Sequence, residues 1–366
     1  MTNQDYMKRA LELAKKAMGY TSPNPMVGCV VVKDGRIVTE GYHERCGEYH
    51  AERNALTKCS EDLTGATMYV TLEPCCHQGK TPPCTDIILE RGIGKVYVGS
   101  MDPNPKVAGK GVQILRDHGV EVETGLLEEE CLSLNEIFFH YITTKMPYVA
   151  MKYAMTLDGK IASFSGDSKW VTGEKAREHT HFLRKKYRGI LVGIGTVLAD
   201  DPMLNCRIEN GVDPVRIVCD SHLQIPLECQ LVKTAKDIET IVCYAEENEE
   251  KQKALMEAGV QLIKAEKDGQ VDLEKLMMEL GSMEIDSVLV EGGGILNESL
   301  IKNDCVHKVY AYVAPKLFGG EKAKTPVEGK GIERIQEALV FDELKATPLG
   351  NDILLEGKVR SCLPES

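Results

Sequence analysis

The chain has no apolar run approaching the ~18 residues that a membrane helix needs. Its opening stretch, Met1 to Met18, carries two acidic side chains and no apolar segment of the secretory kind. Neither a membrane span nor a secretory signal is therefore expected, and a cytoplasmic location is. A basic excess is also missing. Lys and Arg number 44 against 56 Asp and Glu, a net charge of −12, so the chain has no general footprint for nucleic acid or for a membrane surface. A small anionic substrate held by a few local cations stays open. There is no short-period repeat and no low-complexity segment. With 43% hydrophobic and 27% charged residues, most of the chain has enough apolar material to exclude disorder. Tryptophan is confined to Trp170, which by itself reads first as core packing. Cysteine, by contrast, is plentiful: thirteen, an odd number. In a reducing compartment, clustered thiols point to metal or catalysis rather than to disulfides.

A length of 366 residues predicts about two domains. The pattern begins with a helix whose face is Met7, Ala10, Leu11, Ala14, Ala17 and Met18, closed by Gly19. A hairpin follows, with a strand over 26–32, Asp34-Gly35 as the turn, and a return over 37–40. Helices are then predicted over 50–58, 85–90, 111–118 and, as one long element, 127–143. Strands are predicted over 67–72, 95–100 and 120–123. This order implies a mostly parallel sheet between helices. The pattern restarts near Lys145-Met146-Pro147. Strands are expected over 148–154, 189–192, 215–219, 240–244, 260–264, 286–290, 307–314 and 352–356, with a helix over 174–186. The acidic run Glu246 to Glu250 reads as a solvated helix start. The expected domains are 1–146 and 147–366, both α/β.

Two segments of the first half belong together chemically. His50-Ala51-Glu52 opens a helix. Pro74-Cys75-Cys76-His77-Gln78-Gly79-Lys80-Thr81-Pro82-Pro83-Cys84 lies between a strand and a helix. Zinc deaminases use His-x-Glu followed by Pro-Cys and a later Cys. Three protein ligands leave a fourth position for water, whose pKa the metal lowers. A carboxylate that is not a ligand then moves the protons. Helix starts near Cys75 and Cys84 would favour thiolates. The usual two-residue gap between the cysteines is eight here, so Cys76 and His77 are rival ligands. A closed structural site built from Cys75, Cys76, His77 and Cys84 is one alternative; buried cysteines without metal are another.

His50-Ala51-Glu52, Thr71-Leu72-Glu73-Pro74-Cys75 and Gly79-Lys80-Thr81-Pro82-Pro83-Cys84 closely resemble the bifunctional riboflavin-biosynthesis deaminase/reductase family, which has the eight-residue gap. The resemblance implies that His50, Cys75 and Cys84 bind one Zn2+ and that Glu52 is the catalytic proton shuttle. It also implies an N-terminal cytidine-deaminase-like three-layer α/β/α domain. Relatives often have Ser at Cys76, which argues against that residue as a ligand. Thr21-Ser22-Pro23-Asn24-Pro25 matches an early loop in which Asn24 would bind the pyrimidine. His43, Lys80, Asp102 and Asn104 match positions holding base, ribose and phosphate. A lysine suits a phosphate as a point charge. Asp102-Pro103-Asn104-Pro105 follows a strand end, where α/β sites sit; a plain turn is the lesser alternative in local terms.

In the second half, an apolar strand ends in Glu291-Gly292-Gly293-Gly294 and enters a helix, and Val192-Gly193-Ile194-Gly195-Thr196 gives a second such turn. Glycines admit phosphates to the backbone and a helix N-terminus stabilises their charge. The dinucleotide fingerprint G-x-G-x-x-G is absent, so a flexible turn is the competing account. Met151 to Ala162, Ser168-Lys169-Trp170-Val171-Thr172-Gly173, Asp200-Asp201-Pro202 and Glu291 to Gly294 resemble the family's reductase half, whose fold is like dihydrofolate reductase. Thr156 and Tyr187-Arg188-Gly189 depart from the usual residues there. The resemblance implies NADPH contacts from Ala154, Trp170, Thr196, Asp200, Ser221, Gly293, Gly294, Ile295, Leu296, Asn297, Glu298 and Ser299. It assigns the reductase substrate to Lys152, Ser168, Arg184, Leu204, Arg207 and Glu291. The two arginines suit a sugar phosphate. Ser221 and His222 are the expected place for the cofactor's 2′-phosphate. Lys152, Asp200 and Glu291 compete for the role of acid in the reduction.

The expected function is therefore two steps on a phosphoribosylaminopyrimidine: zinc-dependent hydrolytic deamination of the ring, then NADPH reduction of ribosyl to ribityl. The expected partners are this small molecule and further copies of the chain in a homo-oligomer, with no nucleic acid and no membrane. A nucleotide or nucleic-acid-base deaminase with a degenerate second domain is the nearest rival, and the net charge opposes its nucleic-acid form. A zinc-stabilised nucleotide-binding regulator is the rival from another class. Glu52 discriminates, because a structural metal site needs no free carboxylate.

Overall fold

The computed structural model describes residues 1–79 and 81–360; Lys80 and residues 361–366 lie outside the described residues. The chain divides into two compact units, Met1–Lys145 and Met146–Ser366.

The first unit contains α1 (Asn3–Lys15), β1 (Gly28–Lys33), β2 (Arg36–Tyr42), α2 (Ala51–Lys58), β3 (Thr67–Leu72), α3 (Cys84–Glu90), β4 (Lys95–Ser100), α4 (Lys110–Asp117), β5 (Glu121–Thr124), α5 (Glu128–Leu134) and α6 (Glu136–Thr144). Thr2 starts α1 by exchanging hydrogen bonds with Asp5, a capping box. The hairpin turns at Asp34 and Gly35, both at positive φ, the conformation a two-residue turn requires. The sheet order is β2-β1-β3-β4-β5. β1 is antiparallel to β2 and β3, whereas β3, β4 and β5 are parallel. The antiparallel share is thus larger than the sequence pattern predicts, because β1 pairs on both sides.

Alternating side chains feed two cores. Cys29, Val31, Met68 and Val70 join Ala55, Leu56, Ile88 and Leu115 from α2, α3 and α4 on one face. Val30, Val32 and Tyr69 join Met7, Leu11 and Cys131 from α1 and α5 on the other. The result is three layers, α/β/α. The long helix predicted over 127–143 is two helices. α5 delivers Cys131 to one core, while α6 delivers Phe138 to the other. A straight helix cannot reach both faces of the sheet, so the chain breaks at Asn135.

The second unit contains β6 (Tyr148–Thr156), α7 (Glu174–Lys186), β7 (Gly189–Gly193), α8 (Ile194–Asp200), β8 (Val215–Cys219), α9 (Gln230–Lys233), β9 (Thr240–Tyr244), α10 (Glu249–Glu257) and β10 (Gln261–Lys264). It continues with β11 (Glu266–Lys267), β12 (Gln270–Val271), α11 (Leu273–Ser282), β13 (Ser287–Val290), α12 (Gly294–Lys302), β14 (Lys308–Ala314), β15 (Phe341–Leu349) and β16 (Asp352–Val359). Nine strands form one sheet in the order β10-β9-β8-β7-β13-β6-β14-β16-β15. It is parallel from β10 to β14, and β16 and β15 add antiparallel. Val288 and Val290 face one core, and Ile190, Val192 and Val218 face a second. β15 escapes the sequence pattern because most of its side chains are exposed.

Candidate active sites

In the first unit, strand directions gather the chemistry at one edge of the sheet. β3 and β4 run parallel and end together at Leu72 and Ser100. β1 runs against β3, so its start lies at the same edge, and Gly28 pairs with Tyr42 at the end of β2. The segments just beyond these ends carry Asn24, His43, Cys75 and Asp102.

His50 is the N-cap of α2 and Cys84 is the first residue of α3. Cys75 follows β3 rather than opening a helix, but the Cys84 N–H at the start of α3 donates to its sulfur at 3.4 Å. His50 Nδ1 lies 3.4 Å from Cys75 Sγ and 3.5 Å from Cys84 Sγ. The three ligand atoms lie within 4.8 Å of one another. One imidazole and two thiols form a donor set that fits tetrahedral zinc with a fourth position left for solvent. Cys76 points elsewhere, its sulfur 3.8 Å from the Lys106 carbonyl oxygen. Among the described residues the closed four-ligand alternative is therefore not assembled. Cys75 is pushed down to about 4 by the neighbouring Cys84 thiol and by His50, against the cost of burial. Cys84 is pushed up, first by Cys75 beside it and then by burial.

Glu52, in the first turn of α2, is only 3% exposed. Burial, then the charge of Cys75, raise its carboxyl to about 7, while His50 opposes the rise. Such a group is poised to take and return a proton near neutral pH. His43 is fully buried and its pKa is lowered, chiefly by burial. Its Nδ1 lies 3.0 Å from the Tyr49 carbonyl oxygen, so Nδ1 carries the proton and Nε2 accepts from Asn24 Nδ2 at 3.1 Å. Asp102 is raised to about 6, first by burial and then by the charges of Glu73 and Cys75; the backbone N–H of Asn104 opposes this, donating to Asp102 at 2.8 Å.

The sequence reading missed Glu73. This buried carboxylate at the end of β3 accepts backbone N–H groups from Gly109 at 2.9 Å, Val112 at 3.2 Å and Asp102 at 3.4 Å. It ties the Asp102 loop and the start of α4 to the strand that leads into Cys75. The close seating explains Gly111, where a Cβ would collide with the Pro74 carbonyl oxygen. A charged residue immediately before Pro74-Cys75 at a strand end was the signal available.

In the second unit, β7 and β13 are adjacent and parallel, so the turns Gly193-Ile194-Gly195 and Glu291-Gly292-Gly293 meet at one edge. A Cβ on Gly293 or Gly195 would touch nothing within 4 Å. That open backbone at the N-cap of α12 fits a phosphate. Gly294 does not share this opening: Glu328 and the Thr325 carbonyl oxygen fill its side. Of the two neighbouring glycines, Gly293 is thus the one with open space beside it. Further along α12, Ile295 is exposed and Leu296 covers Gly292, and the Ser299 hydroxyl donates to the Ile295 carbonyl at 3.0 Å. Asn297 donates to the Pro326 carbonyl at 2.7 Å and Glu298 accepts from the Lys330 N–H at 3.1 Å, so both turn toward the segment after β14.

Ala154 lies on β6 and Thr196 in the first turn of α8. Asp200 ends α8, 3.7 Å from Lys169. Trp170 is 61% exposed under the Arg177 guanidinium, outside the core. The Ser221 hydroxyl donates to Gln270 and accepts from the Val271 N–H. His222 Nδ1 is 3.0 Å from a Glu246 carboxylate oxygen, a partner that opposes a 2′-phosphate at that place.

Glu291 is the hub of the remaining residues. It accepts Arg184 Nε at 2.8 Å and Nη2 at 3.1 Å, and Lys152 Nζ at 3.4 Å. Arg184 also donates to the Asn205 carbonyl at 3.0 Å, beside buried Leu204. Burial alone would raise the Glu291 carboxyl, but Arg184 and Lys152 overcome it and hold the group at about 2. Arg207 Nε lies 3.2 Å from His181 Nε2. His181 is pushed down to about 4, first by burial and then by the charges of Arg184 and Arg207, which Glu291 opposes. Ser168 sits half-buried in the loop before Trp170.

Comparisons with known proteins agree with both halves. Residues 1–100 match the family model of the cytidine and deoxycytidylate deaminase zinc-binding region. Residues 147–355 match that of the RibD C-terminal domain. The chain is 56% identical to riboflavin biosynthesis protein RibD of Actinobacillus pleuropneumoniae, covering 99% of this chain and 97% of that one. It is 38% identical to RibD of Escherichia coli K12, covering 97% and 99%. A solved Thermotoga maritima structure, described as a diaminohydroxyphosphoribosylaminopyrimidine deaminase/5-amino-6-(5-phosphoribosylamino)uracil reductase, is 41% identical with a TM-score of 0.85 over 98% of each chain. Acinetobacter baumannii RibD is 37% identical with a TM-score of 0.87, over 98% of this chain and 99% of that one.

Proposed function

The chain belongs to the RibD family, the bifunctional deaminase/reductase of riboflavin biosynthesis, and from that premise we propose which residues perform each step. The deaminase substrate is 2,5-diamino-6-(5-phosphoribosylamino)pyrimidin-4-one and the reductase substrate is its deaminated product, 5-amino-6-(5-phosphoribosylamino)uracil. The observation that carries the reading is the grouping of His50, Cys75 and Cys84 within 4.8 Å, with Glu52 buried beside them.

His50, Cys75 and Cys84 hold zinc, which when bound supplies a Lewis acid that makes hydroxide accessible at neutral pH. Glu52 takes one proton from the attacking water and delivers it to the ring nitrogen as the C–O bond forms, then carries the second proton, from the added hydroxyl, to the exocyclic amine, so that the C–N bond breaks and ammonia departs. Asn24, fixed on neutral His43, holds the pyrimidine edge. Lys80, Asp102 and Asn104 hold the ribosyl phosphate.

In the reductase, the sugar phosphate lies beside Arg184 and Arg207, whose positive charges attract it. Gly293 and the strand ends beside it receive the cofactor's phosphates, with Ala154, Trp170, Thr196, Asp200, Ser221 and 294–299 around it. NADPH, when bound, supplies the hydride for the ribosyl group. Lys152 and Glu291 face the sugar, with Ser168 and Leu204 closing the pocket. No described helix is long and apolar enough to cross a membrane. Cytoplasmic work as a homo-oligomer is part of the proposal and rests on the family likeness.

The test measures zinc per chain, ammonia release from the diaminopyrimidine, and NADPH oxidation on supplied deaminated product. Cys75→Ala is expected to abolish zinc and ammonia release and to leave NADPH oxidation intact. Ammonia release undiminished without zinc would refute the assignment.

A further inference from the structure

Asn135 occupies the break between α5 and α6 and is 2% exposed. Both ends of its side-chain amide are used on one distant residue. Oδ1 accepts the Met26 N–H at 2.9 Å, and Nδ2 donates to the Met26 carbonyl at 3.0 Å. This is the two-bond pattern by which a neighbouring strand would hold an extended residue, supplied here by a side chain. Among common side chains, only an amide offers donor and acceptor side by side at this reach. The position lies beyond the stretch that matches the deaminase family model, which ends at residue 100.

What Met26 anchors gives the contact its meaning. Two residues before it, Asn24 donates to His43 Nε2. One residue after it, the Val27 carbonyl accepts the His43 N–H at 2.9 Å. Gly28 then donates to the buried Thr71 hydroxyl at 3.1 Å, on the strand that leads into Cys75. Asn24 and His43 are thus suspended from a short backbone run clamped at Met26 by Asn135 and at Gly28 by Thr71.

We propose that Asn135 is a positioning residue of the deamination step: it fixes the Met26 backbone and thereby the Asn24–His43 pair against the pyrimidine. The proposal rests on the deaminase reading above. Without the amide, two half-buried backbone groups lose their partners, and the loop regains freedom in the coordinate that sets the base. Small misplacements of this kind are costly to catalysis.

The experiment is a double-mutant cycle in the full-length, zinc-loaded protein, with Asn135→Ala, Asn24→Ala and the pair. Asn135→Ala is expected to lower deaminase kcat/KM by about 10–100-fold, mostly through KM. Zinc content and reduction of supplied deaminated substrate should match wild type. In the Asn24→Ala background the further loss should shrink below about threefold, because the residue acts through Asn24. Should the alanine variant fail to fold, Asn135→Ser carries the cycle, since it is uncharged and too short to hold both Met26 backbone groups. Additive losses, unchanged kcat/KM, or loss of zinc along with activity would each overturn the proposal. A wild-type protein that releases no ammonia would overturn the deaminase reading and the proposal with it; an active wild type indifferent to Asn135 overturns the proposal alone.

Discussion

Replacing Glu291 by Gln removes the carboxylate that faces both Arg184 and Lys152. The side chains are 11%, 13% and 14% exposed, respectively, so solvent screens the cluster poorly. The folded protein holds this carboxyl at about 2 against an ordinary 4.5. At ~1.36 kcal/mol per unit, the gap corresponds to about 3 kcal/mol of stability at neutral pH. Breaking a buried ion pair by removing one partner costs about 3–5 kcal/mol, so two separate routes reach the same size. Glu291→Gln should therefore lower the melting temperature of the second unit by roughly 6–12 °C and abolish reduction. Because the folded pKa is depressed, the stabilisation is complete above the unfolded value near 4.5 and fades as pH falls toward 2. The gap between wild type and variant should narrow from about 3 kcal/mol at neutral pH to about 2 kcal/mol near pH 3.5. Urea denaturation of both proteins at the two pH values measures it. A gap under about 1 kcal/mol at neutral pH, or one that does not narrow on acidification, would show that Arg184 and Lys152 are held by something other than Glu291.

Three further outcomes are expected. Glu52→Gln should keep one zinc per chain yet slow ammonia release by about 10²–10⁴-fold; loss of zinc in the same preparation would instead make Glu52 a ligand. Gly293→Val should raise the NADPH dissociation constant, read by fluorescence titration, while ammonia release continues, because the new side chain enters the open space above the α12 N-cap. Gly111→Val should drive α4 off the Pro74 carbonyl and disturb the Glu73 contacts, lowering deaminase kcat/KM with the reductase unaffected; normal deamination in a stable Gly111→Val protein would rule out that close seating.

Local pattern carried much of the architecture. β3, β4, β8, β9 and α7 fall at the residues their apolar spacing predicts, because a strand buried on both faces or a helix with one apolar stripe writes its period into the chain. The residue types that meet at the proposed metal site, and the buried Glu52 beside them, were also legible, since zinc chemistry restricts residue type and spacing. The rest depended on contacts between residues distant in sequence. Among Cys75, Cys76 and Cys84, only the tertiary structure shows which sulfurs lie near His50 Nδ1 and which turns to Lys106. Gly293 and Gly294 are indistinguishable as neighbouring glycines, and only the segment after β14 closes one and leaves the other open. The predicted helix over 127–143 had continuous helical spacing, and it broke because its two halves serve opposite faces of the sheet. Periodicity records that a residue is buried, but not against what. That second fact decided Asn135 on Met26, Glu73 on three backbone N–H groups, and Glu291 between two cations, and it belongs to the tertiary structure alone.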